Sequence, residues 1–149
     1  MDIIDSFKGE YSFLSNFYQY PVTYDGLTYP TAEAAFQAQK CQKAEDKVKY
    51  TQVKNPVRAK QMGRKEPNLP AIWESVSYHV MREVLRAKFS EPEMAEKLLA
   101  TGNAMLVEGN THHDNIWGNC SCPKCTDKVG QNRLGQLLMG LRYHLAQQR

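Results

Sequence analysis

The sequence predicts a mainly α-helical protein with a small β component, folded as one compact domain over residues 1–149. Apolar residues recur at helical spacing from Ile72 to Phe89 and again from Leu134 to Leu145. Helix-start signals stand at Thr31 and at Asn55-Pro56. The β-rich pieces are short, and no repeat, low-complexity tract or linker divides the chain.

In chain order, PVTYDGLTYP places two β-rich pieces around Asp25-Gly26, the pair that best tolerates the positive φ angles of a tight hairpin. YPTAEAAFQAQKC follows as a helix of about three turns, with the Thr31 hydroxyl accepting from a first-turn amide. Asn55-Pro56 opens a short helix that Gly63 is expected to close. Ile72, Trp73, Val76, Val80, Val84 and Leu85 mark the core face of a long helix ending near Phe89. Ser90-x-x-Glu93 reads as a capping box for a helix ending at Thr101-Gly102, and Ala104–Val107 as a brief strand. A loop rich in His, Asp, Asn, Cys and Gly then leads to a final amphipathic helix on Leu134, Leu137, Leu138, Leu141 and Leu145.

Bulk properties exclude several classes. With 42% hydrophobic and 23% charged residues the composition is that of a globular protein, and no apolar run approaches the ~20 residues of a membrane span. MDIIDSFKGE has no secretory-signal pattern, so a cytoplasmic location is expected and stable disulfides are not. A net charge of +3 without a basic block names no partner.

Four stretches carry chemistry. On a helical wheel Glu33, Gln37 and Lys40 fall within about 60° of one another, beside an arc of small residues that permits close packing. Such a line can project into a pocket wall and grip two ends of a polar ligand; alternatively Glu33 complements the helix dipole and Lys40 is solvated. EGNTHHDNIWG, with Asp114, Trp117 and Gly118, has what a loop needs to stack on a base and bind its sugar, or Trp117 caps the core. Cys120, Cys122 and Cys125 form a CxCxxC able to offer thiolates to a structural zinc, with His112, His113 or Cys41 as fourth ligand; a redox-sensitive thiol pair and free cysteines are the other readings. No HExxH or deaminase-type HxE supports a catalytic zinc. Finally, glycines and Asn132 before the last helix present amides to an anion, or Asn132 is a simple N-cap.

Taken together these pieces resemble the NADAR, or YbiA-like, superfamily. The resemblance runs from Phe13-Leu14-Ser15-Asn16-Phe17-Tyr18 through YPTAEAAFQAQK, Gly63-Arg64, Val80-Met81 and Arg86-Ala87-Lys88-Phe89. It continues through Leu99-x-Thr101-Gly102, Leu106-x-Glu108, Asp114-x-x-Trp117-Gly118 and Gly130-x-Asn132-x-Leu134-Gly135-x-x-Leu138-Met139-x-x-Arg142. It implies a mainly α-helical fold and hydrolysis of N-glycosidic bonds with no cofactor required for catalysis. Two substrate kinds are associated with the family: N-glycosidic intermediates of riboflavin synthesis, and ADP-ribose on guanine in nucleic acid, where removal reverses a DNA-modifying toxin.

By match to the family motifs, Glu33 and Lys40 are the catalytic candidates, and Asn16, Gln37, Arg64, Asp114, Trp117, Gly118 and Asn132 the substrate-binding ones. Glu33 suits stabilisation of the charge that builds on the ribose ring. Lys40 is either an amine that attacks the opened sugar or a cation for phosphate. The chain departs from the family pattern at Ala34, where histidine is common, at Ser77, where lysine is usual, and between Gly118 and Gly130, where cysteines replace a glycine-rich loop. Removal of ADP-ribose from guanine, as in ADP-ribosylated DNA, is the leading expectation. The alternatives are riboflavin intermediates as substrates, a sensor that binds NAD or ADP-ribose without turnover, and a zinc-stapled nucleic-acid adaptor. Intact Glu33 and Lys40 favour an enzyme.

Overall fold

A computed structural model describes residues 2–149. The elements in order are β1 (Ile3–Ile4), a 3-10 turn (Gly9–Leu14), β2 (Val22–Tyr24), β3 (Leu27–Tyr29), α1 (Ala32–Ala38), α2 (Ala44–Lys47), a 3-10 turn (Val48–Gln52), α3 (Pro56–Arg64) and α4 (Trp73–Phe89). They continue with α5 (Pro92–Leu99), β4 (Met105–Leu106), β5 (Gly109–Asn110), β6 (Asn119–Cys120), a 3-10 turn (Pro123–Cys125) and α6 (Arg133–Gln147). Helices dominate and each strand has two or three residues, as the sequence predicts. The chain divides into two compact units, Asn16–Glu91 and the segment up to Ser15 with Pro92–Arg149. Among the described residues, no helix is long and apolar enough to cross a membrane.

In Asn16–Glu91, β2 and β3 pair antiparallel with Val22 opposite Tyr29, and Asp25 (φ 49°) and Gly26 (φ 86°) make the turn. Val22 and Tyr29 are buried, and the hairpin packs on α1 and α4. All seven residues of α1 are buried, with α3, α4 and the Val48–Gln52 turn packed round it. Such enclosure explains its alanines, because only small side chains let neighbours approach on several faces at once. The helix has two turns rather than the expected three, and i→i−3 bonds then carry the chain through Gln39, Lys40 and Cys41. Asn55 caps α3, its side chain accepting from Val57 N at 2.9 Å. Gly63 does not end α3: the helix runs to Arg64, and the glycine sits against Gln37 of α1. In α4 the inward face is Ser77, Met81, Val84, Leu85, Lys88 and Phe89, whereas Ile72 is an exposed left-handed N-cap and not a core residue.

In the other unit, β1 and β4 pair parallel, Ile4 opposite Leu106, and α6 packs on β4 and α5. Phe13, Leu14, Met94, Leu98, Leu106, Leu134 and Leu138 form its core. Ser90 is the C-cap of α4, and its hydroxyl donates back to Ala87 O at 2.7 Å. Gly102 closes the segment after α5 at φ 64°. The second small sheet, β5 with β6, pairs Gly109 with Asn119 and Asn110 with Cys120.

Candidate active site and candidate metal centre

Thr31 starts α1 as its residue type predicts, its Oγ1 accepting from Ala34 N at 3.1 Å. That start fixes Glu33 in the first turn, where the helix dipole favours a carboxylate. Glu33 is only 7% exposed, and its backbone N–H donates to Asn16 O at 3.0 Å. One turn on, Gln37 donates from Nε2 to Glu33 Oε2 at 3.3 Å and so orients the acid. The amide oxygens of Gln37 and Asn16 are both buried without a hydrogen-bond partner. Asn16 Nδ2 contacts Met81 Sδ at 3.2 Å. A carbonyl oxygen left unpaired in the interior costs about 1–3 kcal/mol, a cost that a donor on a ligand would remove.

Lys40 lies beyond the helix, half-buried in the tightened turn, and donates its backbone N–H to Gln37 O at 3.1 Å. The wheel therefore places Glu33 and Gln37 correctly but does not extend to Lys40. Burial lowers the Lys40 pKa, the nearby Glu33 and Glu66 carboxylates oppose that, and the Arg64 and Lys60 cations add to it. Arg64, exposed at the end of α3, acts on Lys40 through its charge. Asn16, Glu33, Gln37, Lys40 and Arg64 thus form one neighbourhood in the Asn16–Glu91 unit. A cavity of about 350 Å³ in the same unit is lined by Cys41, Gln42, Lys43 and Glu66 among others, and by none of those five residues.

Asp114, Trp117, Gly118 and Asn132 belong to the other unit, where their contacts are mostly architectural. Asp114 Oδ1 accepts from Ile116 N at 3.1 Å and Trp117 N at 2.9 Å, closing a turn. Gly118 is buried so tightly that a Cβ would overlap Glu108 O. Asn132 occupies the position before α6 at φ 50°, but its side chain does not cap that helix. It donates to Leu106 O at 2.9 Å and accepts from Glu108 N at 3.0 Å. The anion cradle expected at the start of α6 is filled by backbone instead. Gln131, Asn132, Arg133 and Leu134 donate their amides to the carbonyls of Asn115, Gly118, Ile116 and Trp117.

The three cysteines do converge. Sγ of Cys120, Cys122 and Cys125 and Nδ1 of His113 all lie within 4.8 Å of one another, an arrangement that could hold a metal ion. Of the three residues suggested as a fourth ligand, His113 is the one in this group. Cys41 lies in the other unit, its thiol pushed up to about 11 by burial and by Glu66 beside it. Two residues of α4 that the sequence did not single out for the site are Met81, a neighbour of Asn16, and Lys88, which is buried with its ammonium 5.1 Å from the Phe89 ring centroid and 5.6 Å from that of Tyr18. A position on the inner face of a core helix was the available signal for both.

Residues 5–146 match the model of the NADAR domain. N-glycosidase YbiA of Escherichia coli is 43% identical over 143 residues, 95% of this chain and 86% of that protein. An N-glycosidase of Nostoc punctiforme is 32% identical over 89% of this chain and 84% of its own length. A riboflavin biosynthesis protein of Vibrio vulnificus is 32% identical over 91% of this chain, the match covering 36% of that longer protein. The NMR structure of the E. coli protein YbiA superposes with a TM-score of 0.82 at 41% identity, covering 99% of this chain and 87% of that one. The chain belongs to the NADAR family.

Proposed function

We infer that this protein is an N-glycosyl hydrolase acting on ribosylated nucleobases, and that its substrate is ADP-ribose attached to guanine in DNA. The hydrolase part is supported by the N-glycosidase relatives. The observation that carries the site is the buried Glu33 held by Gln37, with two unpaired amide oxygens, Gln37 Oε1 and Asn16 Oδ1, beside it. Ribose hydroxyls and base N–H groups are the donors those oxygens lack.

In the reaction the C1′–N bond breaks, its electron pair leaves with the base, and positive charge develops on the sugar ring. Glu33 stabilises that charge and orients the water that adds to C1′, while the departing nitrogen takes up a proton. Gln37 fixes the carboxylate so that little reorganisation is needed. Lys40 acts either as a cation on the phosphates or, in place of direct water attack, as a neutral amine that bonds to C1′ of the opened sugar as the base leaves, the Schiff base then being hydrolysed by water to release the sugar and restore the amine. Arg64 places a cation where a diphosphate would reach. In the other unit, Asp114, Trp117, Gly118 and Asn132 hold the backbone before α6 in shape. Catalysis needs no cofactor, and the ion suited to the Cys/His cluster is a structural zinc.

A riboflavin-pathway intermediate is the second reading, favoured by the name of the V. vulnificus relative. Incubating the protein with guanine-ADP-ribosylated DNA and, separately, with the riboflavin intermediate decides between them. Sugar release from the DNA alone is expected; release from the riboflavin intermediate alone would establish the second reading. Tight ADP-ribose binding with no release from either would make the protein a sensor.

A further inference from the structure

We propose that His113, Cys120, Cys122 and Cys125 form a closed Cys3His zinc site that takes the place of a hydrophobic core for the segment between β5 and α6. The inference rests on the zinc reading of the cluster and adds its fourth ligand, its coordination and its task.

The nitrogen-to-sulfur distances fit one tetrahedral ion. With Zn–S near 2.3 Å and Zn–N near 2.0–2.1 Å, the nitrogen-to-sulfur edges of a tetrahedron are about 3.6 Å. His113 Nδ1 lies 3.9 Å from Cys120 Sγ, 3.3 Å from Cys122 Sγ and 3.5 Å from Cys125 Sγ, bracketing that value. Four donors fill the tetrahedron and leave no position for water or substrate, which is the arrangement of a structural site. Three soft sulfurs with one imidazole select zinc over magnesium or calcium.

The backbone is arranged around the ligands. Cys120 ends β6, and Cys122 and Cys125 bracket the 3-10 turn, with Cys125 N–H donating to Cys122 O at 3.0 Å. His113 adopts φ 68°, in the left-handed region that few non-glycine residues enter and histidine enters more readily than most, and its ring returns to the cysteines from the far end of the loop. Two N–H groups point at sulfurs, Cys122 N at Cys120 Sγ (3.5 Å) and Asn115 Nδ2 at Cys125 Sγ (3.6 Å). Such donors stabilise thiolate rather than thiol. Asn115 also accepts from Cys120 N at 2.9 Å, and its carbonyl accepts from Gln131 N at 2.8 Å, so one residue links two ligands to the entry of α6.

What the segment lacks identifies the task. Between Val107 and Gln131 the only buried residues are Gly118, Cys120 and Cys125. Ile116 and Val129 face outward, 52% and 93% exposed. A stretch that buries so little apolar surface needs another source of order, and metal crosslinks are one. On binding, Zn²⁺ displaces the three thiol protons to solvent, and the site carries one net negative charge.

Elemental analysis of protein purified under reducing conditions, without chelator, tests this. About one zinc per chain is expected, and replacement by Co²⁺ should give the intense visible bands of tetrahedral thiolate-bound cobalt. Cys122→Ser and His113→Ala should each weaken metal binding by more than about tenfold, and Asn115→Ala by about 10- to 100-fold as a positioning residue. Cys41→Ser should leave binding unchanged. Chelation should open the 109–131 segment to proteolysis while Asn16–Glu91 stays protected. Metal-free protein that takes up neither zinc nor cobalt, or His113→Ala with wild-type affinity, would overturn the proposal. Because wild-type protein reports metal content and cobalt spectrum directly, a variant that misfolds does not obscure the answer. None of these readouts involves glycosidase turnover, so they stand or fall apart from the proposed activity.

Discussion

Gly63 of α3 leaves the space that the Gln37 side chain of α1 occupies, and a Cβ at residue 63 would overlap Gln37 Oε1. Gln37 in turn donates to Glu33, so the contact between two helices sets the position of the acid. Gly63→Ala is expected to destabilise the protein by about 1–3 kcal/mol, the usual cost of overpacking. It should also lower turnover by displacing Gln37. Gln37→Ala in the same chain removes the overlap with Oε1 and Cδ and leaves a 3.2 Å approach to its Cβ, so the double variant should be more stable than the sum of the singles implies, with a coupling of about 0.5–3 kcal/mol. Additive stabilities in thermal melts of the four proteins would show that the two residues do not press on each other.

The acid itself is tested by Glu33→Gln, which keeps shape and hydrogen-bonding capacity but removes the charge. Turnover should fall by about 10²- to 10⁴-fold with an unchanged melting temperature. A folded Glu33→Gln protein with wild-type kcat/KM would remove Glu33 from the chemistry.

Lys40 gives a pH test with opposite outcomes for its two roles. A nucleophilic lysine acts as the neutral amine, so activity rises with pH through its pKa. Because burial and the Arg64 and Lys60 cations lower that pKa, the rise should come below the ordinary lysine range. Arg64→Ala removes one of those cations and should shift the rise to higher pH. A lysine that only holds phosphate acts as the cation, and activity would instead fall as pH climbs. Reductive trapping of a sugar on the wild-type protein, absent in Lys40→Ala, checks the covalent step separately.

Why some of this was legible in the sequence and some was not follows from the range of each signal. The hairpin at Asp25-Gly26, the Thr31 cap and the Asn55-Pro56 start are local, set by one or two residues, and the structure keeps them. Glu33 and Gln37 are one helical turn apart, so periodicity alone could pair them. Lys40 lay past the end of α1, where the period changes, and its environment comes from Arg64 and Glu66 on distant sequence. Gly63 looked like a helix stop because the reason for it, Gln37, is on another element. Asn132 looked like a cap for the same reason: its bonds to Leu106 and Glu108 are tertiary. The metal cluster was half legible, since CxCxxC is contiguous while the histidine that joins it depends on how the loop folds back.

At Asn132 three effects can be separated at one position. Its side chain substitutes for a neighbouring strand, bonding Leu106 O and Glu108 N, while its backbone sits at φ 50°. Asn132→Gly tolerates that φ but abandons both bonds, leaving one carbonyl and one amide without partners, at about 1–3 kcal/mol for each that stays buried. Asn132→Ala abandons the same bonds and adds the left-handed penalty of an L side chain, about 1–2 kcal/mol more. Asn132→Asp keeps the acceptor for Glu108 N and replaces the donor with a carboxylate facing Leu106 O, so its cost should grow as pH rises and the carboxyl ionises. The expected order of stability is wild type, then glycine, then alanine, with aspartate approaching wild type only in acid. Denaturant titrations of the four proteins at two pH values test it. Alanine equal to glycine would show that the left-handed backbone carries no strain here, and glycine equal to wild type would show that the two tertiary bonds are not what holds β4 to the start of α6.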